Sequence, residues 1–113
     1  WLSYFYAENT KIRSIVESDD VLLTSSLSIF EVKLKLLKEK KEPSLIQKSL
    51  EIIKKRSLVI PVNEEVSEDA AEFSFKYRLH MTDAIIYVSA IKNNAVLITL
   101  DNDFRELKDV NIL

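Results

Sequence analysis

The amino-acid sequence predicts an α/β fold in which helices cover both faces of a parallel central sheet. Several short apolar runs are continuous rather than alternating, as expected of parallel strands buried on both sides. These runs alternate along the chain with segments whose apolar residues recur at helical spacing. With 113 residues, 47% of them hydrophobic, the chain is long enough to form one domain, residues 1–113, with a buried core.

Four apolar runs are expected to form the strands. They cover residues 21–24, 58–61, 95–99 and, as a terminal edge strand, 110–113. In a doubly wound sheet the ligand site lies beyond the carboxyl ends of such strands, so the residues that follow them are the first candidates for function.

Four longer helices are expected between these strands. Pro43 and Ser44 divide the middle of the chain into helices over residues 26–41 and 44–56, and Asn63 and Thr82 are expected to cap helices that end near Tyr77 and Asn93. The spacing of the apolar residues predicts the buried helix faces. They are Leu27, Phe30, Leu34 and Leu37 on the first helix, and Val66, Ala70, Phe73 and Tyr77 on the third.

The composition excludes several classes of site. There is no glycine, which excludes the glycine-rich phosphate loops of Walker and Rossmann nucleotide sites. There is no cysteine, so any metal would be held by oxygen ligands, as Mg²⁺ or Mn²⁺ is. The apolar stretches are too short to span a membrane, and we expect a cytoplasmic protein without a membrane partner.

The charge distribution gives no strong sign of a nucleic-acid partner. The net charge of −2 lacks the global positive field of proteins that rely on nucleic-acid electrostatics. Lysines are nevertheless concentrated in the middle of the chain, where glutamates at helical spacing also suit ordinary solvated helix faces.

Four acidic residues stand where helices begin or strands end: Glu31, Asp83, Asp101 and Asp103. Each has an ordinary explanation, since Glu31 suits a capping box, Asp83 suits a helix N-terminus, and the last two suit a turn. Together they point to one pocket, because crowded carboxylates repel one another and are normally held charged by a hard divalent cation. A metal site is therefore the leading hypothesis.

Three motifs that contain these acids resemble the PIN domain family, including the VapC-like toxins of toxin–antitoxin pairs. Ser25-Ser-Leu-Ser-Ile-Phe-Glu31 resembles the family's serine-rich turn and helix with its glutamate. Asp83-Ala-Ile-Ile-Tyr-Val-Ser-Ala90 resembles its Asp-Ala-Leu-Ile-Ala-Ala segment, and Thr99-Leu-Asp101-Asn-Asp103-Phe104 resembles its terminal Thr-x-Asp-x-Asp-Phe. The resemblance implies a three-layer α/β/α sandwich.

The same resemblance implies the roles of the site residues. Glu31, Asp83 and Asp101 would be catalytic residues and ligands of Mg²⁺ or Mn²⁺, and Asp103 would be a supporting or alternate ligand. Ser25 and Thr99 would be supporting polar neighbours. The activity implied is hydrolysis of RNA phosphodiester bonds by one or two bound ions.

The implied partners follow from that activity. Single-stranded or looped RNA suits a narrow acidic pocket better than a duplex does, and its candidate phosphate contacts are Lys33, Lys35, Arg78 and Arg105. If the protein is a toxin, the resemblance also implies a homodimer and an antitoxin protein.

One departure from the family concerns its first strand, which ends in an aspartate that supplies a metal ligand. Trp1-Leu-Ser-Tyr-Phe-Tyr-Ala7 resembles the short helix that follows this strand. We therefore expect that the native protein carries a further N-terminal strand ending in Asp, or that another chain fills its place.

Two other functions remain open on sequence grounds. A receiver-like phosphoacceptor would also use an acidic pocket, with Asp19 and Asp20 as its acid pair, but that pair precedes a strand instead of following one. The stronger alternative is a non-catalytic PIN-like module that binds RNA or protein.

Overall fold

Helices and short strands alternate along the chain in the computed structural model, which describes residues 1–113. The elements are, in order, α1 (Leu2–Phe5), α2 (Thr10–Val16), β1 (Leu22–Ser25), α3 (Ser26–Lys38), α4 (Pro43–Arg56), β2 (Ser57–Ile60), α5 (Glu64–Tyr77), α6 (Met81–Lys92), β3 (Leu97–Thr99), a 3₁₀ turn (Asn102–Phe104) and β4 (Val110–Ile112). They form two compact units, Trp1–Ile60 and Pro61–Leu113.

The strands pair in parallel, as the sequence predicts. In the first unit β1 pairs with β2, with Leu22 opposite Ser57, and in the second β3 pairs with β4, with Leu97 opposite Val110. The sheet is thus present as two two-stranded pairs, each within one unit, rather than as one continuous ladder. The three-layer sandwich stays a prediction.

The core of the first unit is formed by α3 and α4. Its buried residues are Val32, Leu36, Ile46, Leu50 and Ile53, and Trp1, Leu2, Phe5 and Ile29 pack against them. The prediction of which α3 residues are buried is wrong, because Phe30 and Leu37 are 62% and 53% exposed. Apolar residues occupy more than one face of this helix, and Val32 and Leu36 are the ones that meet α4 in the core.

Two polar networks hold the ends of the elements in the first unit. Trp1 Nε1 donates to Thr24 Oγ1 (3.0 Å), whose hydroxyl donates to Ser57 Oγ (2.7 Å). The Arg56 guanidinium donates to four backbone carbonyl oxygens, those of Ile15, Val16, Ser18 and Asp20. It therefore satisfies the Val16 carbonyl at the C-terminus of α2 and, in the loop that follows, the carbonyls of Ser18 and Asp20.

The core of the second unit lies between α5 and α6. Its buried residues are Val66, Ala70, Leu79, Ala84 and Val88, which confirms the first two members of the predicted α5 face. At the far end of the pair, Lys92 Nζ lies 2.7 Å from a Glu65 carboxylate oxygen and 2.6 Å from one of Asp69. These ion pairs connect the C-terminus of α6 to the first half of α5.

Several boundaries differ from the predictions. The first helix ends at Lys38 instead of residue 41, and Thr82 lies within the first turn of α6 because that helix already begins at Met81. Helix α2 was not predicted, although its N-cap Asn9 accepts hydrogen bonds from two backbone amides of the first turn. None of the helices combines the length and hydropathy that a membrane crossing requires.

Candidate metal centre

Asp83 is placed by the start of α6. The helix begins at Met81, with His80 as its N-cap residue, so the Asp83 side chain projects from the first turn. Burial raises the pKa of this carboxyl above its usual value, and the negative charges of Asp101 and Asp103 raise it further. The nearby His80 lowers the pKa and offsets part of this rise. The site therefore disfavours the charged form of Asp83 unless a cation is present.

Asp101 and Asp103 are placed by the turn that follows β3. Thr99 Oγ1 accepts from the Asp101 amide (3.0 Å), and Asp101 Oδ1 accepts from the Asp103 amide (2.8 Å). These two bonds fix the backbone of the turn and orient the Asp101 carboxylate as the cap of the 3₁₀ turn. Asp101 thus acts as a local cap and still has its second oxygen available for another interaction.

The three aspartates converge although Asp83 lies far from the other two in the sequence. One carboxylate oxygen from each of Asp83, Asp101 and Asp103 lies within 4.8 Å of the others. Oxygens that share one Mg²⁺ at about 2.1 Å lie about 3.0 to 4.2 Å apart, so this spacing is close to that of a shared ion. A set of carboxylate oxygens without sulfur or imidazole ligands suits Mg²⁺ or Mn²⁺.

Two adjoining cavities open beside this cluster. The smaller, of about 250 Å³, is lined by Tyr77, Arg78, Leu79, His80, Asp83 and Asp103. The larger, of about 330 Å³, shares Tyr77, Leu79 and Asp103 with it and extends to Asn102, Arg105, Glu106 and Leu107. The acidic cluster is therefore open to a ligand, and both predicted arginines of this unit, Arg78 and Arg105, line its approaches.

The remaining predicted site residues lie in the first unit. Ser25 is buried at the end of β1 and caps α3 by accepting a hydrogen bond from the Leu27 amide (3.2 Å). Glu31 is half-buried in α3, and Lys33 and Lys35 are exposed on the same helix. Their participation in a common site with the three aspartates stays a prediction.

Sequence reasoning missed Tyr77 as a residue of the site. Its helical spacing from Phe73 suggested a core position, but the side chain is 44% exposed and lines both cavities. Its exposure follows from its position as the last residue of α5, directly before Arg78, whose backbone is left-handed (φ 56°). No signal in the sequence reports this conformation. A helix that ends there leaves its last aromatic ring at the rim of the core.

Comparison with known families matches the PIN domain over residues 1–110. The chain belongs to the PIN domain family. Among solved structures, one described as a toxin-antitoxin complex from Klebsiella pneumoniae has the same fold, with a TM-score of 0.77 and 20% sequence identity. The alignment covers 97% of this chain and 89% of that chain. The comparison with curated protein sequences gave no match.

Membership in the PIN family confirms the resemblance drawn from the three motifs. PIN domains are generally nucleases and typically depend on divalent metal ions. The cluster of Asp83, Asp101 and Asp103 is therefore the candidate centre for such an activity in this PIN domain.

Proposed function

We propose that this PIN domain is a metal-dependent endoribonuclease and that it is the toxin of a toxin–antitoxin pair. The observation that supports the nuclease most directly is the convergence of three carboxylates, with ligand oxygens within 4.8 Å, beside an open cavity that Asp83 and Asp103 line. Carboxylates so close together are costly unless a cation balances them, and an open site leaves room for a phosphate.

Asp83, Asp101 and Asp103 are the proposed ligands of Mg²⁺ or Mn²⁺, and Glu31 is proposed to join them on the basis of the family resemblance. Such an ion, when bound, lowers the pKa of a coordinated water and neutralises charge on a phosphoryl oxygen. Thr99 has a positioning role, because its hydroxyl holds the backbone amide of Asp101. The Asp101 carboxylate in turn holds the Asp103 amide, so the loop presents two ligands with little freedom.

Single-stranded or looped RNA is the proposed substrate. An unpaired strand can bring one phosphate into the cavity beside Asp83, whereas a duplex keeps its backbone on a wide, stiff surface. Arg78 and Arg105 line the two cavities and are the proposed phosphate contacts of the second unit. Lys33 and Lys35 on α3 are proposed as further contacts. We propose the cytoplasm as the site of action.

The toxin role rests on the similarity of fold to a chain from a toxin-antitoxin complex. An exposed apolar stripe on α3, formed by Phe30, Leu34 and Leu37, further supports a protein partner. Exposed apolar patches of this kind are common where one protein binds another. We propose an antitoxin protein as that partner and a homodimer as the assembly of the toxin.

Cleavage of a labelled single-stranded RNA tests the nuclease. We expect the purified full-length protein to cut it with Mn²⁺ or Mg²⁺ and to lose activity in EDTA. Asp83→Asn and Asp101→Asn should reduce cleavage at least a hundredfold, in the range for loss of a key electrostatic group. Glu68→Gln, at an exposed α5 position outside the cluster, is the matched control and should cleave normally.

The same assay separates the nuclease from a non-catalytic module. Binding of the RNA without cleavage at any divalent ion tested would favour the module. Unchanged cleavage by Asp83→Asn would remove that residue from the catalytic centre.

A further inference from the structure

The larger cavity beside the acidic cluster has a chemistry of its own. Its volume of about 330 Å³ falls at the lower end of the range for small-molecule sites, roughly 300 to 1,000 Å³. Its wall combines an aromatic ring, Tyr77, with a neutral amide, Asn102, and a carboxylate, Glu106. Asp103 and Glu106 offset the attraction of Arg105 for a phosphate inside this cavity, whereas the edge of a nucleobase can hydrogen-bond to Asn102 and Glu106.

Tyr77 is held as a rigid platform at the junction of the two cavities. Its ring stacks on Phe73, with centroids 5.4 Å apart and planes at 29°. Phe73 is anchored in turn by the buried Tyr87, in an edge-on contact at 5.5 Å. The ring is therefore oriented by the core while 44% of the residue remains exposed. The core fixes the position of the ring, and the Lys76 side chain, whose ammonium lies over the ring, must move aside for a planar ligand to stack on it.

Three cationic side chains lie around the Tyr77 ring and the two cavities. The Lys76 ammonium lies over the Tyr77 ring, 5.3 Å from its centroid, and can contact a phosphate when a base displaces it. Arg105 lines the same cavity as that ring. Arg78 lines the smaller cavity, next to Asp83. Positive groups therefore flank the aromatic ring, as in sites that combine stacking of bases with contacts to phosphates.

We infer that the larger cavity binds an unpaired nucleobase, stacked on Tyr77, of a nucleotide next to the one whose phosphate faces the acidic cluster. This inference rests on the proposed nuclease function and specifies how its substrate is held. Tyr77 is a binding residue for the RNA and takes no part in the chemical step. A base in a duplex is already stacked and paired, so this site selects single-stranded RNA.

Fluorescence of a single-stranded RNA that carries 2-aminopurine tests the inference by a readout other than cleavage. The experiment is done in EDTA, so that the RNA stays intact, and at low salt, which favours binding of RNA. The 2-aminopurine signal should be quenched on binding to the wild type. Tyr77→Leu should abolish the quenching and weaken binding by about ten- to a hundredfold, the usual effect of removing one stacking aromatic.

Two matched variants separate stacking from other effects. Tyr77→Phe keeps the ring and should behave as the wild type. Phe75 lies on the same helix, is 90% exposed and lines neither cavity. Phe75→Leu also removes an aromatic ring, and it should behave as the wild type. Thermal melting of each variant shows whether it is folded.

The salt dependence of binding gives a further readout. Tyr77→Leu should lower the affinity without changing the slope of log Kd against log salt, because it removes no charge. Arg105→Gln should reduce that slope by about 0.7, as expected for one lost phosphate contact to a single strand.

The outcomes are distinguishable from those of the proposed nuclease. Quenching and affinity that are unchanged in a folded Tyr77→Leu variant would overturn the base site, even if the protein cleaves RNA. Equal losses in Tyr77→Leu and Phe75→Leu would also overturn it. Quenching that depends on Tyr77 in a protein that cleaves no RNA with any divalent ion would support the base site and refute the nuclease.

Discussion

Replacement of Asp83 by asparagine should change the stability of the protein in opposite directions with and without a divalent ion. Asn has nearly the shape of Asp but carries no charge. In the metal-free protein the substitution removes a carboxylate whose charged form is disfavoured, as the raised pKa of Asp83 shows. With Mn²⁺ or Mg²⁺ present it removes one of the proposed ligands.

The metal-free effect follows from the separation of the carboxylates. At 4.8 Å and the dielectric constant of water, each pair of charges repels by about 0.9 kcal/mol, which gives about 1.7 kcal/mol for the pairs with Asp101 and Asp103. Loss of the favourable interaction with the N-terminus of α6 offsets about 0.3 to 1 kcal/mol of this. We therefore expect Asp83→Asn to raise the free energy of unfolding by about 1 kcal/mol at low salt, and less at 0.15 M, where charges are screened within about 8 Å.

The effect of metal is larger and has the opposite sign. An ion that binds only the folded protein stabilises it by about 2.7 kcal/mol at a hundredfold excess over its Kd. For 113 residues the entropy of unfolding is about 0.24 kcal/mol/K, so the wild type should gain about 11 °C in Tm. The variant should gain much less, although its Tm in EDTA should be about 4 °C higher than that of the wild type.

Thermal melts of both proteins in 10 mM buffer, with EDTA and with a titration of Mn²⁺, test this reversal. Glu68→Gln is the control for loss of an acidic residue outside the cluster and should follow the wild type. Equal metal-dependent shifts in the wild type and Asp83→Asn, or a variant that is less stable than the wild type in EDTA, would refute the reasoning.

Two further predictions concern pH and the first unit. In EDTA, the folded protein holds the Asp83 proton more tightly than the unfolded chain, so the wild type should lose stability relative to Asp83→Asn as pH rises from about 3.8 through the raised pKa. Melts of both proteins over a pH series measure this, and parallel pH profiles would contradict it. Arg56→Met should lower the free energy of unfolding by about 2 to 3 kcal/mol, because several partly buried carbonyl oxygens lose a charged donor. Arg56→Lys should lower the free energy of unfolding less. Urea unfolding followed by the fluorescence of Trp1, the one tryptophan, measures both variants. An Arg56→Met variant as stable as the wild type would show that water replaces the guanidinium.

The sequence by itself determined the family and the α/β class of fold, and it predicted the kind of site. Continuous apolar runs identified the strands because parallel strands are buried on both faces, and the four longer helices were found from their caps and apolar spacing. The absence of cysteine limited any metal site to oxygen ligands. Acids at the ends of elements predicted a cluster of Glu31, Asp83, Asp101 and Asp103; the three aspartates do converge, and the place of Glu31 in the cluster stays a prediction.

Only the tertiary structure decided which surfaces are buried and which are accessible. Phe30 and Leu37 match the spacing of a core face as well as Val32 and Leu36 do, and only the packing of α3 against α4 selects the latter pair. Tyr77 likewise follows the helical spacing of α5, yet the left-handed backbone at Arg78 ends the helix and leaves the ring at the edge of the cavities. Periodicity reports which residues share a helix face, whereas burial depends on neighbours that are distant in the sequence.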